Sequence, residues 1–395
     1  MSEEMTSRER CLATIRFEPH DRIPVDLHNF MMTVVDSKLP NAKLYQDGQL
    51  LGEAQVAAWK RFGHDMLLIE NGTATLAEAC GCEVSYPHAS APRIENPFLK
   101  GLGEVSRLRK PDPWKSPLCR AALKATRVVL DQIGDQVYVM GRADQGPFDL
   151  ACMITGTETL LTEMAAGEND ELIFELLEYT SEAYILYAHM FKEMGCPGTS
   201  LGEAFCSPDV ISPAMYEKYC LPYGKKVVTA LQSDDFFVAY HTCGDTTKII
   251  GLMAETGAKI LEFDYKCDKA AAKRATVGKT TLLGPVDPSG VLHQGSIEDV
   301  ETVCREAIEV LAPGGGFILG PGCALPGTTL PKNVDKLIEC AKVYGKYCKQ
   351  SRVPRYVHPD LQFELHQINL WMSIVICIYA GLDAVRTPWR CTPRG

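Results

Sequence analysis

Short apolar runs that end in glycine or polar residues recur along this chain, with enough sequence between them for a helix. These runs occupy residues 22–26, 66–69, 137–140, 199–201, 236–239, 259–263, 280–283 and 317–319. Runs of this length with such boundaries are typical of buried parallel strands whose ends open into loops. We therefore predict a strand at each of them.

Apolar residues at helical spacing fill the intervals between these strands. The predicted helices cover residues 121–133, 172–194, 213–231, 246–255, 297–311 and 331–347. An earlier helix begins at Ser7, which we predict as its N-cap because Glu9 follows in the first turn. Strand–helix alternation with polar residues at the strand ends is typical of a (β/α)8 TIM barrel, an α/β fold. We predict one such domain over residues 1–348.

The last part of the chain does not continue this alternation. Residues 349–395 show no recognisable pattern, and residues 386–395 are rich in proline and without periodicity. We predict a tail of unknown role that packs irregularly. A disordered segment and an artefact of the reading frame are the open alternatives.

Composition and charge narrow the classes of function. The 395 residues are 46% hydrophobic and carry a formal net charge of −10, with no basic run. This balance argues against a nucleic acid held through its phosphates. The amino terminus lacks the apolar core of a signal peptide, and the longest apolar stretch, residues 370–382, is shorter than the roughly 20 residues that span a bilayer. We predict a cytoplasmic protein with no membrane partner, whose 16 cysteines are reduced.

One imidazole and two thiols follow two of the predicted strands. His241 and Cys243 come after the run 236–239, and Cys323 comes after the run 317–319. The carboxyl ends of barrel strands are where such folds keep their chemistry. Three ligands of this type, with a fourth position open, are typical of a catalytic zinc site. The alternative is a chance His-x-Cys pair with cysteines that only pack, and spacing alone supports both interpretations equally.

The sequence around these residues adds a resemblance. Ser-Pro-Asp-Val-Ile-Ser-Pro at 207–213, Gly-Pro-Val-Asp at 284–287 and the run 314–327 resemble the uroporphyrinogen decarboxylase superfamily, and within it the zinc-containing corrinoid methyltransferases. The resemblance covers residues 7–348. It implies His241, Cys243 and Cys323 as zinc ligands, and a corrinoid (cobalamin) carried on a separate partner protein.

Further polar residues at predicted strand ends complete the candidate site. Glu203 and Glu262 are candidate catalytic residues, as proton donors or as resting ligands of the metal; the alternative is a carboxylate bound by backbone amides. The candidate residues of a substrate pocket are Asp26, His28, Asn29, Glu70 and Asp287. We expect these side chains to converge at one edge of the sheet.

The resemblance leaves more than one reaction open. Decarboxylases of the superfamily use no metal and bind four-ring substrates through basic residues near the first strand, but this chain has no Arg or Lys between Arg22 and Lys38. We therefore predict a methyltransferase acting on a small methyl donor or thiol acceptor, with methyl ether demethylation slightly ahead of thiol methylation. A metal-free decarboxylase is the alternative enzyme, and a non-catalytic barrel that binds a corrinoid protein is the alternative outside catalysis.

Overall fold

The computed structural model describes residues 5–88 and 90–347, and nine strands lie within them. The strands are β1 (Met66–Ile69), β2 (Glu83–Ser85), β3 (Arg93–Asn96), β4 (Tyr138–Gln145), β5 (Gly198–Gly202), β6 (Phe237–Thr242), β7 (Ile260–Phe263), β8 (Thr281–Val286) and β9 (Phe317–Pro321). Seven of them form one parallel sheet in the order β1-β4-β5-β6-β7-β8-β9, and β2 pairs with β3 in a separate antiparallel hairpin. The predicted α/β class is confirmed.

Helices occupy the connections between the parallel strands, precede β1 and follow β9. They are α1 (Ser7–Ile15), α2 (Phe30–Asp36), α3 (Asn41–Gln46), α4 (Gly48–Phe62), α5 (Thr75–Ala79), α6 (Pro117–Ile133), α7 (Pro147–Thr155), α8 (Thr157–Ala166), α9 (Asp170–Glu193), α10 (Pro213–Met215), α11 (Leu221–Leu231), α12 (Ile250–Glu255), α13 (Lys269–Thr276), α14 (Ile297–Leu311) and α15 (Pro331–Tyr344). A π-helical turn, Tyr216–Cys220, joins α10 to α11. Within the described ranges, no helix is both long and apolar enough to cross a membrane.

A short extended segment hydrogen-bonds to both edge strands of the sheet. Val25 forms a parallel bridge to Leu319 of β9, and Asp26 forms one to Met66 of β1. The sequence predicts a full strand over 22–26, whereas the structure forms only isolated bridges there: these two and an antiparallel bridge from Arg22 to Lys346. Pro24 accounts for part of the difference because it has no N–H to donate.

The two faces of the sheet differ in what covers them. Side chains alternate between faces along a strand. On one face, an apolar cluster packs against Cys11 and Ile15 of α1; it comprises Met66, Leu68, Tyr138, Met140, Phe237, Ala239, Ile260, Leu283 and Ile318. The opposite face packs in the larger core that includes the flanking helices. Four polar residues follow members of the apolar cluster by two positions, so their side chains lie on the same face of the sheet. They are Glu70, Arg142, His241 and Glu262, and all are buried.

Asp65, the residue before β1, is a buried carboxylate that binds several groups of the amino-terminal part of the chain. Asp65 is buried and accepts hydrogen bonds from Arg10 Nη1 (2.6 Å) and Arg22 Nη1 (2.6 Å). It also accepts from Ser7 Oγ (2.7 Å) and from the backbone N–H of Val25 (2.9 Å). Burial raises the pKa of Asp65, but the two guanidinium groups outweigh this and lower it below the ordinary value. The ionised Asp65 therefore fixes the segment that leads to His28.

Several predicted boundaries change in the structure. The N-cap of α1 is Thr6, not Ser7, because Thr6 and Glu9 form a reciprocal capping box. β4 runs to Gln145 instead of ending at residue 140. The sequence analysis assigned no helices to the stretch that forms α2, α3 and α4. The predicted tail, residues 349–395, lies outside the described residues.

Candidate metal centre

Two tight loops bring the predicted ligands together. His241 lies near the end of β6, Cys243 is the first residue after β6, and Cys323 follows β9. Gly244 makes the first turn with φ of +80°, where a Cβ atom would lie 2.4 Å from Asp209 Oδ2. Gly322 precedes Cys323, and a Cβ atom there would lie 2.9 Å from the backbone of Asp264. Gly244 thus lets the first loop pack closely against the residues that follow β5, and Gly322 lets the second pack closely against those that follow β7.

The three ligand atoms have the spacing of a metal site. Cys243 Sγ lies 3.7 Å from Cys323 Sγ and 3.1 Å from His241 Nε2. Two thiolates bound to a tetrahedral zinc at about 2.3 Å stand about 3.8 Å apart, close to the sulfur–sulfur distance seen here. The sulfur–nitrogen distance is a few tenths of an ångström shorter than that geometry requires. The residues present therefore fit a zinc ion after a small adjustment.

The exposure of the cysteines separates these two from the rest. Cys243 and Cys323 are half-buried, whereas the other 11 of the 13 described cysteines are buried, and none of these 13 forms a disulfide bond. A hydrogen bond from Cys243, together with the His241 ring, holds the pKa of Cys323 well below its ordinary value against the effect of burial. A thiolate that solvent and ligands can reach is the form that binds metals.

A buried carboxylate lies behind the ring of the candidate histidine ligand. Glu262 Oε2 lies 3.5 Å from His241 Nδ1, on the side of the ring away from Cys243. Burial raises the pKa of Glu262, but His241 and His28 outweigh this effect and lower the pKa to about 2. A carboxylate behind a histidine ligand fixes the tautomer and the ring orientation. Glu262 therefore lies beside Nδ1 of His241, and Nε2 of the same ring faces Cys243.

His28 links Glu262 to a second carboxylate. Its Nδ1 lies 2.9 Å from Glu262 Oε1, and its Nε2 lies 2.9 Å from Glu70 Oε2. Burial lowers the pKa of His28, but the two carboxylates outweigh this and raise the pKa well above its ordinary value. The backbone of His28 has a φ of +43°, a strained conformation for a residue with a side chain. The structure thus brings together His28, Glu70 and Glu262, three of the predicted site residues.

Arg142 and Gln145 of β4 extend this network, and the sequence analysis missed both. Arg142 Nε lies 3.5 Å from Glu70 Oε2, and Arg142 Nη2 donates to Gln145 Oε1 at 2.6 Å. Gln145 Nε2 donates in turn to Asp149 Oδ2 at 2.8 Å. Arg142 could have been found from the sequence, because it lies two residues after the apolar Met140 and therefore on the same face of the strand.

Glu203 has a different environment from Glu262. Its two carboxylate oxygens accept hydrogen bonds from the backbone N–H groups of Phe148 (3.2 Å) and Asp149 (2.9 Å), at the start of α7. Asp149 in turn accepts from the backbone of Ala204 and Phe205. Burial raises the pKa of Asp149 to about 7, and burial with the neighbouring Asp149 raises that of Glu203. These contacts match the backbone-amide interpretation, and a catalytic role for Glu203 stays a prediction.

The remaining predicted pocket residues are divided between two places. Asp26 and Asn29 are buried, and Asp26 Oδ1 and Asn29 Nδ2 have no hydrogen-bond partner among the described residues. Asp287 instead accepts from the backbone N–H groups of Ser289 and Gly290, both at 2.9 Å. Its carboxylate therefore caps the turn after β8, and its role in a pocket stays a prediction.

Replacing Glu262 by glutamine tests the orienting contact. Glu262→Gln keeps the shape of the side chain but removes the charge behind His241, so we expect zinc affinity to fall by about 10- to 100-fold. Competition with a chelator of known affinity measures the change. Glu255→Gln, at an exposed position of α12, serves as the control and should leave the affinity unchanged. Equal affinities of the Glu262→Gln and wild-type proteins would contradict the orienting role.

Comparison with known proteins places the chain among relatives of two activities. It is 27% identical to the methylcobamide:CoM methyltransferase MtbA of Methanosarcina acetivorans, over 86% of this chain and 99% of that protein. It is 25% identical to a uroporphyrinogen decarboxylase of Xanthomonas axonopodis pv. citri, over 87% of this chain and 100% of that protein.

A solved structure and a protein family also match this chain. A solved methyltransferase from Methanosarcina mazei matches with a TM-score of 0.78 at 22% identity, covering 86% of this chain and 99% of that one. At this identity the likeness shows a common fold. Residues 6–344 match the uroporphyrinogen decarboxylase (URO-D) family, which confirms the resemblance seen in the sequence. The chain therefore belongs to the uroporphyrinogen decarboxylase family.

Proposed function

We propose that this protein is a zinc-dependent methyltransferase that moves a methyl group between a small substrate and the cobalt of a corrinoid carried on a partner protein. The observation that carries the proposal is the approach of His241, Cys243 and Cys323, whose sulfur–sulfur distance of 3.7 Å fits a tetrahedral zinc. The relatives named as methylcobamide:CoM methyltransferases support the same reaction class.

We also propose a closed barrel as the frame of the site. Seven parallel strands and the segment that bonds to both edge strands account for eight positions around a barrel. In such barrels the active site lies at the carboxyl ends of the strands. The ligands lie at the ends of β6 and β9, so substrate and corrinoid would approach this face.

Each residue of the site has a distinct part in the proposed reaction. A bound zinc supplies Lewis acidity, which holds a substrate thiol as the thiolate or polarises the oxygen of a methyl ether. His241, Cys243 and Cys323 would bind it and leave one position open for substrate. Glu262 orients the ring of His241, and His28 holds Glu262 in place through the 2.9 Å contact at Nδ1. Two thiolates and one neutral imidazole leave the zinc centre without net charge.

Decarboxylation remains the second candidate because of the family and the decarboxylase relatives. A porphyrinogen carries several carboxylates, and the segment from Ile23 to Ser37 offers no Arg or Lys to bind them. Arg142, which lies near the site, faces Glu70 and Gln145. These observations favour methyl transfer over decarboxylation.

Two assays test the proposal and its direction. With methylcobalamin, a small thiol should take the methyl group and release cobalt(I), which changes the corrinoid spectrum. Under reducing conditions, a methoxylated aromatic should instead convert cobalt(I) to methyl-cobalt(III). The names of the relatives favour the thiol, and either reaction should require Cys323. If neither reaction proceeds while uroporphyrinogen loses carbon dioxide, the decarboxylase takes the place of the methyltransferase.

A further inference from the structure

The polar side chains around the metal ligands form a layer whose positive charges are already compensated. We call Glu70, Arg142, His241, Glu262 and His28 the polar layer. Arg142 faces Glu70 at 3.5 Å and donates to Gln145, and His28 lies between Glu70 and Glu262. All of these side chains are buried. Each cation beside the metal ligands thus has a carboxylate of the protein as its partner.

The other buried basic side chains of the described residues are engaged elsewhere. Arg10 and Arg22 both bind Asp65, and Arg10 also binds Asp21. Lys273 donates to the backbone oxygens of Leu311 and Gly315, at 2.6 and 2.8 Å. Within residues 5–88 and 90–347, no buried Lys or Arg is therefore left over to meet an anionic group of a substrate.

Two of the buried polar atoms that have no hydrogen bond suit a neutral group. Asp26 is 2% exposed and Asn29 is 3% exposed, and they flank His28 in the sequence. Asp26 Oδ1 and Asn29 Nδ2 have no hydrogen-bond partner in the described structure. One carboxylate acceptor and one amide donor match a hydroxyl or an amine better than an anion.

We propose that the site selects a substrate whose non-reacting end is uncharged or cationic, and that it disfavours an anionic thiol such as CoM, the sulfonate named for the methyltransferase relatives. The inference rests on the proposed methyl transfer and narrows its substrate class. A buried anion without a partner loses its hydration and gains no compensating contact. Glu70 is the residue that sets this preference, because it neutralises Arg142.

Three thiols of the same length and different charge test this preference. They are 2-mercaptoethanesulfonate (negative), 2-mercaptoethanol (neutral) and 2-aminoethanethiol (positive). Binding is measured on the protein loaded with cobalt(II) in place of zinc, from the thiolate-to-cobalt charge-transfer band, without any corrinoid. We expect the dissociation constant of the sulfonate to exceed that of 2-mercaptoethanol by at least about 10-fold. This ratio corresponds to a difference in binding free energy of about 1.4 kcal/mol.

A pair of variants assigns the preference to Glu70. Glu70→Gln leaves Arg142 without its charged partner, so the affinity for the sulfonate should rise at least several-fold relative to 2-mercaptoethanol. Glu53→Gln, on an exposed face of α4, is the control and should keep the wild-type ratio. If Glu70→Gln does not fold, the ratio in the wild-type protein still decides the matter.

Equal or tighter binding of the sulfonate to the wild-type protein would overturn the inference, as would a metal-loaded protein that binds none of the three thiols. A separate measurement of methyl transfer from methylcobalamin distinguishes this inference from the proposed function. Binding that favours the neutral thiol without any methyl transfer would support the charge preference and refute the reaction. Methyl transfer that is fastest with the sulfonate would support the reaction and refute the charge preference.

Discussion

Replacing Cys243 and Cys323 together by serine should remove zinc from the protein and lower the rate of methyl transfer by at least about 100-fold, because a bound metal contributes several kcal/mol to such reactions. A serine hydroxyl does not replace the thiolate ligands that zinc prefers. Metal content by mass spectrometry and the corrinoid assay measure the two effects. The fold should persist, because Cys243 and Cys323 are half-buried and lie outside the apolar clusters.

The matched control uses a second pair of neighbouring thiols. Cys304 on α14 and Cys340 on α15 are both buried, and each thiol shifts the pKa of the other. Their double replacement by serine should leave zinc content and methyl transfer at the wild-type level per folded molecule. Full zinc occupancy in the Cys243→Ser, Cys323→Ser protein would show that the metal binds elsewhere.

The second large effect concerns stability. Asp65→Asn leaves the buried guanidinium groups of Arg10 and Arg22 without their shared negative partner. Breaking a buried ion pair costs about 3–5 kcal/mol, because the remaining charge loses its compensation. Arg10 keeps its ion pair with Asp21, so we expect a loss at the lower end of this range. The free energy of unfolding, measured by urea titration, should fall by that amount. The segment before His28 should also loosen, since Asp65 accepts from the N–H of Val25.

An exposed ion pair provides the control for Asp65→Asn, and the pH dependence of stability provides a second test. Arg61 and Asp335 form an exposed pair at 2.8 Å, and Asp335→Asn should cost less than about 1 kcal/mol. The folded protein lowers the pKa of Asp65, so its contribution is complete above the unfolded pKa of about 3.9 and is lost as pH falls through the lower folded value. A loss below 1 kcal/mol for Asp65→Asn at neutral pH would contradict the anchoring role.

The candidate metal ligands could be predicted from the sequence because their positions are set locally. An apolar run followed by glycine and polar residues fixes the end of a parallel strand, and such ends meet at one edge of a sheet. His241, Cys243 and Cys323 were predicted as a group on this basis and on the family resemblance. In the structure, ligand atoms of all three lie within 4.8 Å of one another. Glu262 and Glu70 were found by the same rule.

The rest of the network depends on contacts that no local pattern specifies. His28 meets Glu262 across 234 positions of the chain, and Phe148 and Asp149 meet Glu203 across more than 50. For Asp287, the position was predicted correctly but the contact of its side chain was not. Its position at a strand end was apparent, but the sequence did not reveal that its carboxylate caps the next turn. Strand ends place a residue near a site, whereas the register of loops decides where its side chain points.

X-ray absorption at the zinc edge, combined with metal analysis of the purified protein, tests the central claim most directly. We predict one zinc per chain, bound by two sulfur atoms at about 2.3 Å and by one imidazole nitrogen at about 2.0–2.1 Å, with a light atom in the remaining position. The spectrum should lose its sulfur contribution in the Cys243→Ser, Cys323→Ser protein. A purified, active protein that contains no zinc, or one whose zinc has no sulfur ligand, would contradict the account.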